Sequence, residues 1–162
     1  GDVYVADWGN DRIQRFSPDG DFIAAYGRSG RGDGELQRPS GVAVDERGYM
    51  YVSDWGNERV QVLDVDGNPL QVLRGQATLS KWAANFLEIN REEGKARASA
   101  DLEPDTAFLD LDGPHAESAH IEKLFWSPMS VKLDEAGRLY VTEGNRHRIQ
   151  VYQRTDRQVP SP

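Results

Sequence analysis

Three acids are each followed by an arginine at one fixed spacing: Asp7 with Arg12, Asp54 with Arg59 and Glu143 with Arg148. Carboxylates recurring in this way could ring a central axis and hold a metal ion or move protons, which is hydrolase or lyase chemistry. A repeated pair is better explained by repeated structure, because an acid and an arginine flanking a hairpin turn pair across it and stiffen it. Asn10 and Asn57 lie inside these turns, where left-handed or side-chain-bonded geometry is needed. Trp8 and Trp55 lie there too, and turn geometry does not demand a large aromatic. An indole in such a place either anchors a partner or sugar, or packs between neighbouring units. Trp8, Asn10, Trp55, Asn57, Asn145 and His147 are therefore the candidate binding residues, and no residue is assigned a catalytic role.

Other chemistry finds little support. His115, His120 and His147 do not form a tight ligand cluster and read as solvated histidines. Asp64-Val-Asp66-Gly67-Asn68 and Asp110-Leu-Asp112-Gly113 hint at calcium loops, but both lack the later glycine and glutamate of the full signature and read as turns. Arg31-Gly32-Asp33 spells an integrin-type tripeptide by coincidence. There is no Gly-x-Ser-x-Gly elbow and no phosphate-gripping glycine loop. The absence of cysteine removes disulfides, thiolate metal sites and thiol nucleophiles, and fits either side of a membrane. The net charge of −8 disfavours nucleic acid, against which Arg146-His147-Arg148 is too short a basic cluster. No apolar run approaches the roughly 20 residues of a spanning helix.

The elements that must position these residues follow from the repeats. Val3-Tyr-Val-Ala-Asp-Trp-Gly-Asn-Asp-Arg-Ile-Gln-Arg-Phe16 recurs as Met50-Tyr-Val-Ser-Asp-Trp-Gly-Asn-Glu-Arg-Val-Gln-Val-Leu63 and as Leu139-Tyr-Val-Thr-Glu-Gly-Asn-Arg-His-Arg-Ile-Gln-Val-Tyr152. Each copy holds two short alternating or β-branched runs, too short for helices. Pro39 to Asp45 and Met129 to Leu133 supply a preceding strand, and Asp21 to Tyr26 and Pro69 to Leu73 a following one, after Asp-Gly turns. Each unit is thus predicted to be a four-stranded antiparallel meander, a sheet that buries its faces only by stacking on its neighbours.

Gly32 to Asp45 with Tyr51 to Val62 resembles the NHL repeat, a family that usually forms six-bladed β-propellers, and the similarity spans roughly two thirds of the chain. The expected fold is all-β, an NHL-type propeller fragment. Its units are a partial blade at 1–27 (strands b to d), a complete blade at 28–75, a helical and loop insertion at 76–127, a partial blade at 128–154 (strands a to c) and a tail at 155–162. A closed ring needs at least about four blades, so the chain is expected to be a piece of a longer protein, with assembly of copies as the other source of the missing blades.

Between the second and third copies, Leu79, Trp82, Ala83, Phe86 and Leu87 recur at helical steps and predict a helix over 79–92. Gly94 should weaken or end it, the stretch 96–100 could resume it, and Ile121, Leu124 and Phe125 suggest a further short helix before Pro128. The middle, 103–114, reads as loop. In a meander the b-to-c turn and the link to the next unit fall at one end, so the insertion should cap the face displaying Trp8, Trp55 and Asn145. The resulting expectation is a non-catalytic scaffold presenting this rim to a protein, peptide or glycan, with no cofactor. The rival is a lactonase-like, metal-dependent hydrolase or lyase using calcium or zinc. Members of the NHL-like propellers include such enzymes, but Asp7, Asp54 and Glu143 do not match their ligand sets residue by residue.

Overall fold

A computed structural model describes residues 1–109 and 111–154. The expected tail, 155–162, and Asp110 of the second acidic turn lie outside the described residues. The strands are β1 (Val3–Asp7), β2 (Arg12–Phe16), β3 (Phe22–Tyr26), β4 (Pro39–Val44), β5 (Met50–Asp54), β6 (Arg59–Leu63), β7 (Pro69–Leu73), β8 (Pro128–Leu133), β9 (Arg138–Glu143) and β10 (Arg148–Gln153). They form three antiparallel sheets ordered β1-β2-β3, β4-β5-β6-β7 and β8-β9-β10, and among the described residues these do not close a ring. The register repeats: Asp7 faces Arg12, Asp54 faces Arg59 and Glu143 faces Arg148 at the end of each central hairpin. Asp64 shows how the tighter hairpins close. Its carboxylate accepts the amides of Asp66 (2.9 Å) and Asn68 (2.8 Å), with Gly67 at φ 85°.

Side-chain alternation sends successive residues to opposite faces, so one pattern gives each sheet two apolar faces. Ile13 and Tyr26 of the first sheet meet Met50, Val52 and Leu63 of the second around Leu36. Tyr51, Val60 and Val62, on the second sheet's other face, meet Val131, Leu139 and Val141 of the third around Phe125. Every residue of β5 and β6 is buried as a result. The outward faces of the end sheets are open, with Val3 51%, Val5 41%, Ile149 60% and Val151 53% exposed.

Three helices lie between β7 and β8: α1 (Lys81–Ile89), α2 (Arg91–Ser99) and α3 (Pro114–His120). Ser80 caps α1 by accepting the Ala83 amide at 3.1 Å, which starts the helix two residues later than predicted, and Asn90 ends it. Gly94 does not break a helix. It lies inside α2, where a Cβ would come within 2.6 Å of the Leu87 carbonyl oxygen, so its missing side chain lets α2 approach α1. The last helix is also displaced from expectation: it occupies 114–120, with Pro114 in its first turn, and 121–125 is not helical. Tertiary packing overrides local periodicity there, because the Phe125 amide donates to the Arg74 carbonyl at 2.8 Å and the ring is fully buried between sheets.

Candidate functional site

The central hairpins end in carboxylate hubs. Asp54 accepts the Gln37 amide (2.7 Å), Asn57 Nδ2 (2.9 Å), Arg59 Nε (2.7 Å) and Gln61 Nε2 (3.2 Å). Asp7 accepts Asn10 (2.8 Å), Arg12 (2.9 Å) and Gln14 (2.6 Å), and Glu143 accepts the Trp126 amide (3.1 Å), Arg148 (2.7 Å) and Gln150 (2.7 Å). The glutamine two residues past each arginine is thus a hub member that the acid–arginine pattern alone did not single out. Its presence in all three copies was the available signal. Two of the arginines also reach the incoming link: Arg59 donates to the carbonyls of Arg31 (3.0 Å), Gly32 (2.8 Å) and Glu35 (2.9 Å), and Arg148 to that of Leu124 (2.8 Å).

Environment separates the hubs electrostatically. The hydrogen bond from Arg12 holds the Asp7 carboxyl below its ordinary range. Burial instead pushes Asp54 up against the pull of its donors, since its carboxylate is fully withdrawn from water and Arg59 is only 8% exposed, compared with 42% for Arg12. These acids have their lone pairs committed to donors within the chain, which leaves little for a substrate or metal. Among the described residues no group of three or more His, Cys, Asp or Glu side chains is arranged to hold a metal ion.

Within each turn the structure fixes which residues correspond. Asp11, Glu58 and His147 share the left-handed conformation, at φ 54°, 52° and 48°. Counting back from them, Arg146 stands where Asn10 and Asn57 stand, and Asn145 stands at the position of Gly9 and Gly56. Asn145 is therefore not the third asparagine of the set. Asn57, a candidate for the binding rim, is 3% exposed and spends its amide on Asp54 and on the Gly30 carbonyl (2.9 Å), so it is withdrawn from any rim surface. Asn10 is exposed, although its amide is also on Asp7. Trp8 and Trp55 come together across two sheets, with ring centroids 4.9 Å apart and planes tilted by 39°, and Trp8 remains 41% exposed.

The left-handed acids, passed over in the sequence, reach across to the next sheet. Asp11 accepts the Arg38 amide (2.7 Å) and Ser29 Oγ (2.6 Å). Glu58 accepts the Ser127 amide (2.5 Å) and meets His115 Nδ1 (2.5 Å). Arg38 and Ser127 both precede the proline that opens an innermost strand, and both have positive φ, 52° and 58°. His115, read from sequence as solvated, is half-exposed but tied to a carboxylate that is 1% exposed. The sequence spacing between Glu58 and His115 holds no hint of their contact, which arises only when α3 meets the turn.

Stacked antiparallel sheets, each carrying the same turn and plugged by one apolar residue from the incoming link, are blades of a β-propeller. The model of the NHL repeat matches residues 36–63 and 125–152, beginning in each case at the plug, Leu36 or Phe125, and the chain carries NHL repeats at both places. A solved streptogramin B lyase structure is similar at 14% identity with a TM-score of 0.45, over 97% of this chain. The chain spans 38% of that protein's length. Among curated proteins none matches this chain. No helix among the described residues is long and apolar enough to cross a membrane.

Proposed function

We propose that the chain is a non-catalytic binding scaffold whose propeller rim receives a protein, peptide or glycan. The carrying observation is the Trp8–Trp55 pair: two indoles from adjacent blades meet, Trp8 exposed and Trp55 half-buried, beside turns whose carboxylates are already consumed by internal donors. An aromatic surface bridging two rigid sheets offers contact area without a large ordering cost on binding. Asn10 shares the turn of Trp8, and Asn145 and His147 lie on the corresponding turn of the third blade. The units remain those of the repeat, with blades at 1–27, 28–75 and 128–154 and the insertion at 76–127 on one link. No cofactor is assigned, and no nucleic-acid partner.

The test is a screen of the protein against glycan and peptide arrays, with Trp8→Ala beside the wild type. A ligand retained by the wild type and weakened at least about tenfold in Trp8→Ala, the loss of one aromatic anchor, supports the reading. Stoichiometric binding of calcium or zinc together with hydrolysis of lactone or ester probes would overturn it in favour of the metal-dependent hydrolase or lyase alternative.

A further inference from the structure

The contact of α3 with the second blade is built around one imidazole. His115 Nδ1 lies 2.5 Å from Glu58 Oε1, and Trp126 Nε1 lies 3.2 Å from His115 Nε2. An indole nitrogen only donates, so His115 Nε2 is the acceptor and the ring proton sits on Nδ1, facing Glu58. Both nitrogens of the neutral ring are therefore in use. The imidazole is 53% exposed and open to protons from solvent, while the Glu58 carboxylate beneath it is 1% exposed. The corresponding place between the first and second blades is filled by Ser29 Oγ on Asp11, a donor that does not titrate in this range.

We infer that His115 is a proton-operated catch for Trp126: uptake of one proton keeps the imidazole on Glu58 and expels the indole from Nε2. The added proton has only Nε2 to occupy, where it would point at another N–H, so the Trp126 contact breaks while the Glu58 contact gains opposite charge. The surrounding charges direct the outcome. On the side of β9 and its turn, Glu143 accepts the Trp126 amide and is paired with Arg148, and the Arg146 guanidinium lies 5.3 Å from the Trp126 ring centroid. On the side of the link, Arg31 lies next to Gly113 at the start of α3. Within α3, Glu117 is paired with Arg74. Glu58 is thus the acid that His115 itself touches, and its carboxyl is held 2.5 Å from the imidazole. The released indole stays on the side of the b-to-c turns, near Asn145, whose amide donates to the Trp126 carbonyl at 3.4 Å. The catch operates whether or not the rim holds a ligand.

The test follows the four tryptophan indole signals of the whole chain by NMR between about pH 8 and pH 5, the window in which imidazole changes charge. The Trp126 signal, identified by its loss in Trp126→Phe, should shift in one transition that shares its midpoint with the His115 ring. His115→Gln should flatten that transition without moving the other indoles, and Glu58→Gln, which removes the facing negative charge, should move its midpoint to lower pH. A Trp126 signal that stays still while His115 titrates, or one that moves equally in His115→Gln, overturns the inference. The wild type and His115→Gln decide this even if Glu58→Gln does not fold.

Discussion

The two blade junctions use the same positions and fill them differently. Between the first and second blades the plug is Leu36, the acid reaching across is Asp11 and its side-chain donor is Ser29. Between the second and third the plug is Phe125, the acid is Glu58 and the donor is His115, carried in by α3. Geometry demands only an apolar plug, a carboxylate on the left-handed turn residue and a backbone amide before the proline. The side-chain donor is free to vary, and at the second junction a residue from the insertion supplies it. The difference also separates stability from response. Arg38's amide holds the Asp11 carboxyl below its ordinary range, whereas burial raises that of Glu58.

The plugs should break the comparison most strongly. Both are fully buried, and Phe125→Ala should cost about 3–5 kcal/mol and Leu36→Ala about 2–5 kcal/mol of unfolding free energy in urea titrations, because a cavity remains between two stiff sheets. Equal and small losses would mean that the junctions relax independently of their plugs.

The hubs come next. Asp54→Ala leaves Arg59 buried without its acid and should cost about 3 kcal/mol. Asp7→Ala should cost much less, since Arg12 is 42% exposed and water replaces the carboxylate. Measuring both by urea unfolding sharpens the comparison, and similar values would place the buried hub's weight elsewhere than in its ion pair.

The smallest effect concerns acid. Asp11 has a depressed folded value, so its contribution is complete above the ordinary aspartate range and is lost only as pH falls through the lower value. Glu58 has a raised value, so it takes up a proton earlier on acidification, and its ionised form is the one penalised by burial. Amide hydrogen exchange corrected for intrinsic rates should therefore change at Ser127 at a higher pH than at Arg38. The reverse order would contradict the assignment of burial as the dominant cause at Glu58.

Much of this molecule was legible in its sequence. The alternation of Tyr51, Val52 and Ser53, the Asp-Gly turns and the recurrence of Asp54 with Arg59 predict hairpins and their end pairing, because strand period and turn chemistry are local properties. The hub glutamines Gln14, Gln61 and Gln150 were visible in the same recurrence but carried no meaning until the sheets placed them beside the carboxylates. Local periodicity failed at Ile121 to Phe125, where helical spacing lost to the burial of Phe125 between two sheets.

The repeat, the strands, the turns and the pairing of acid with arginine can all be read along the chain, since each depends on neighbours within one hairpin. The meeting of Trp8 with Trp55, the burial of Asn57 and the contact of His115 with Glu58 came from three-dimensional packing alone. They join different blades, a helix to a blade, or a turn to the link that passes over it. Their existence depends on how rigid units stack, a relation between surfaces that no short-range pattern along the chain encodes.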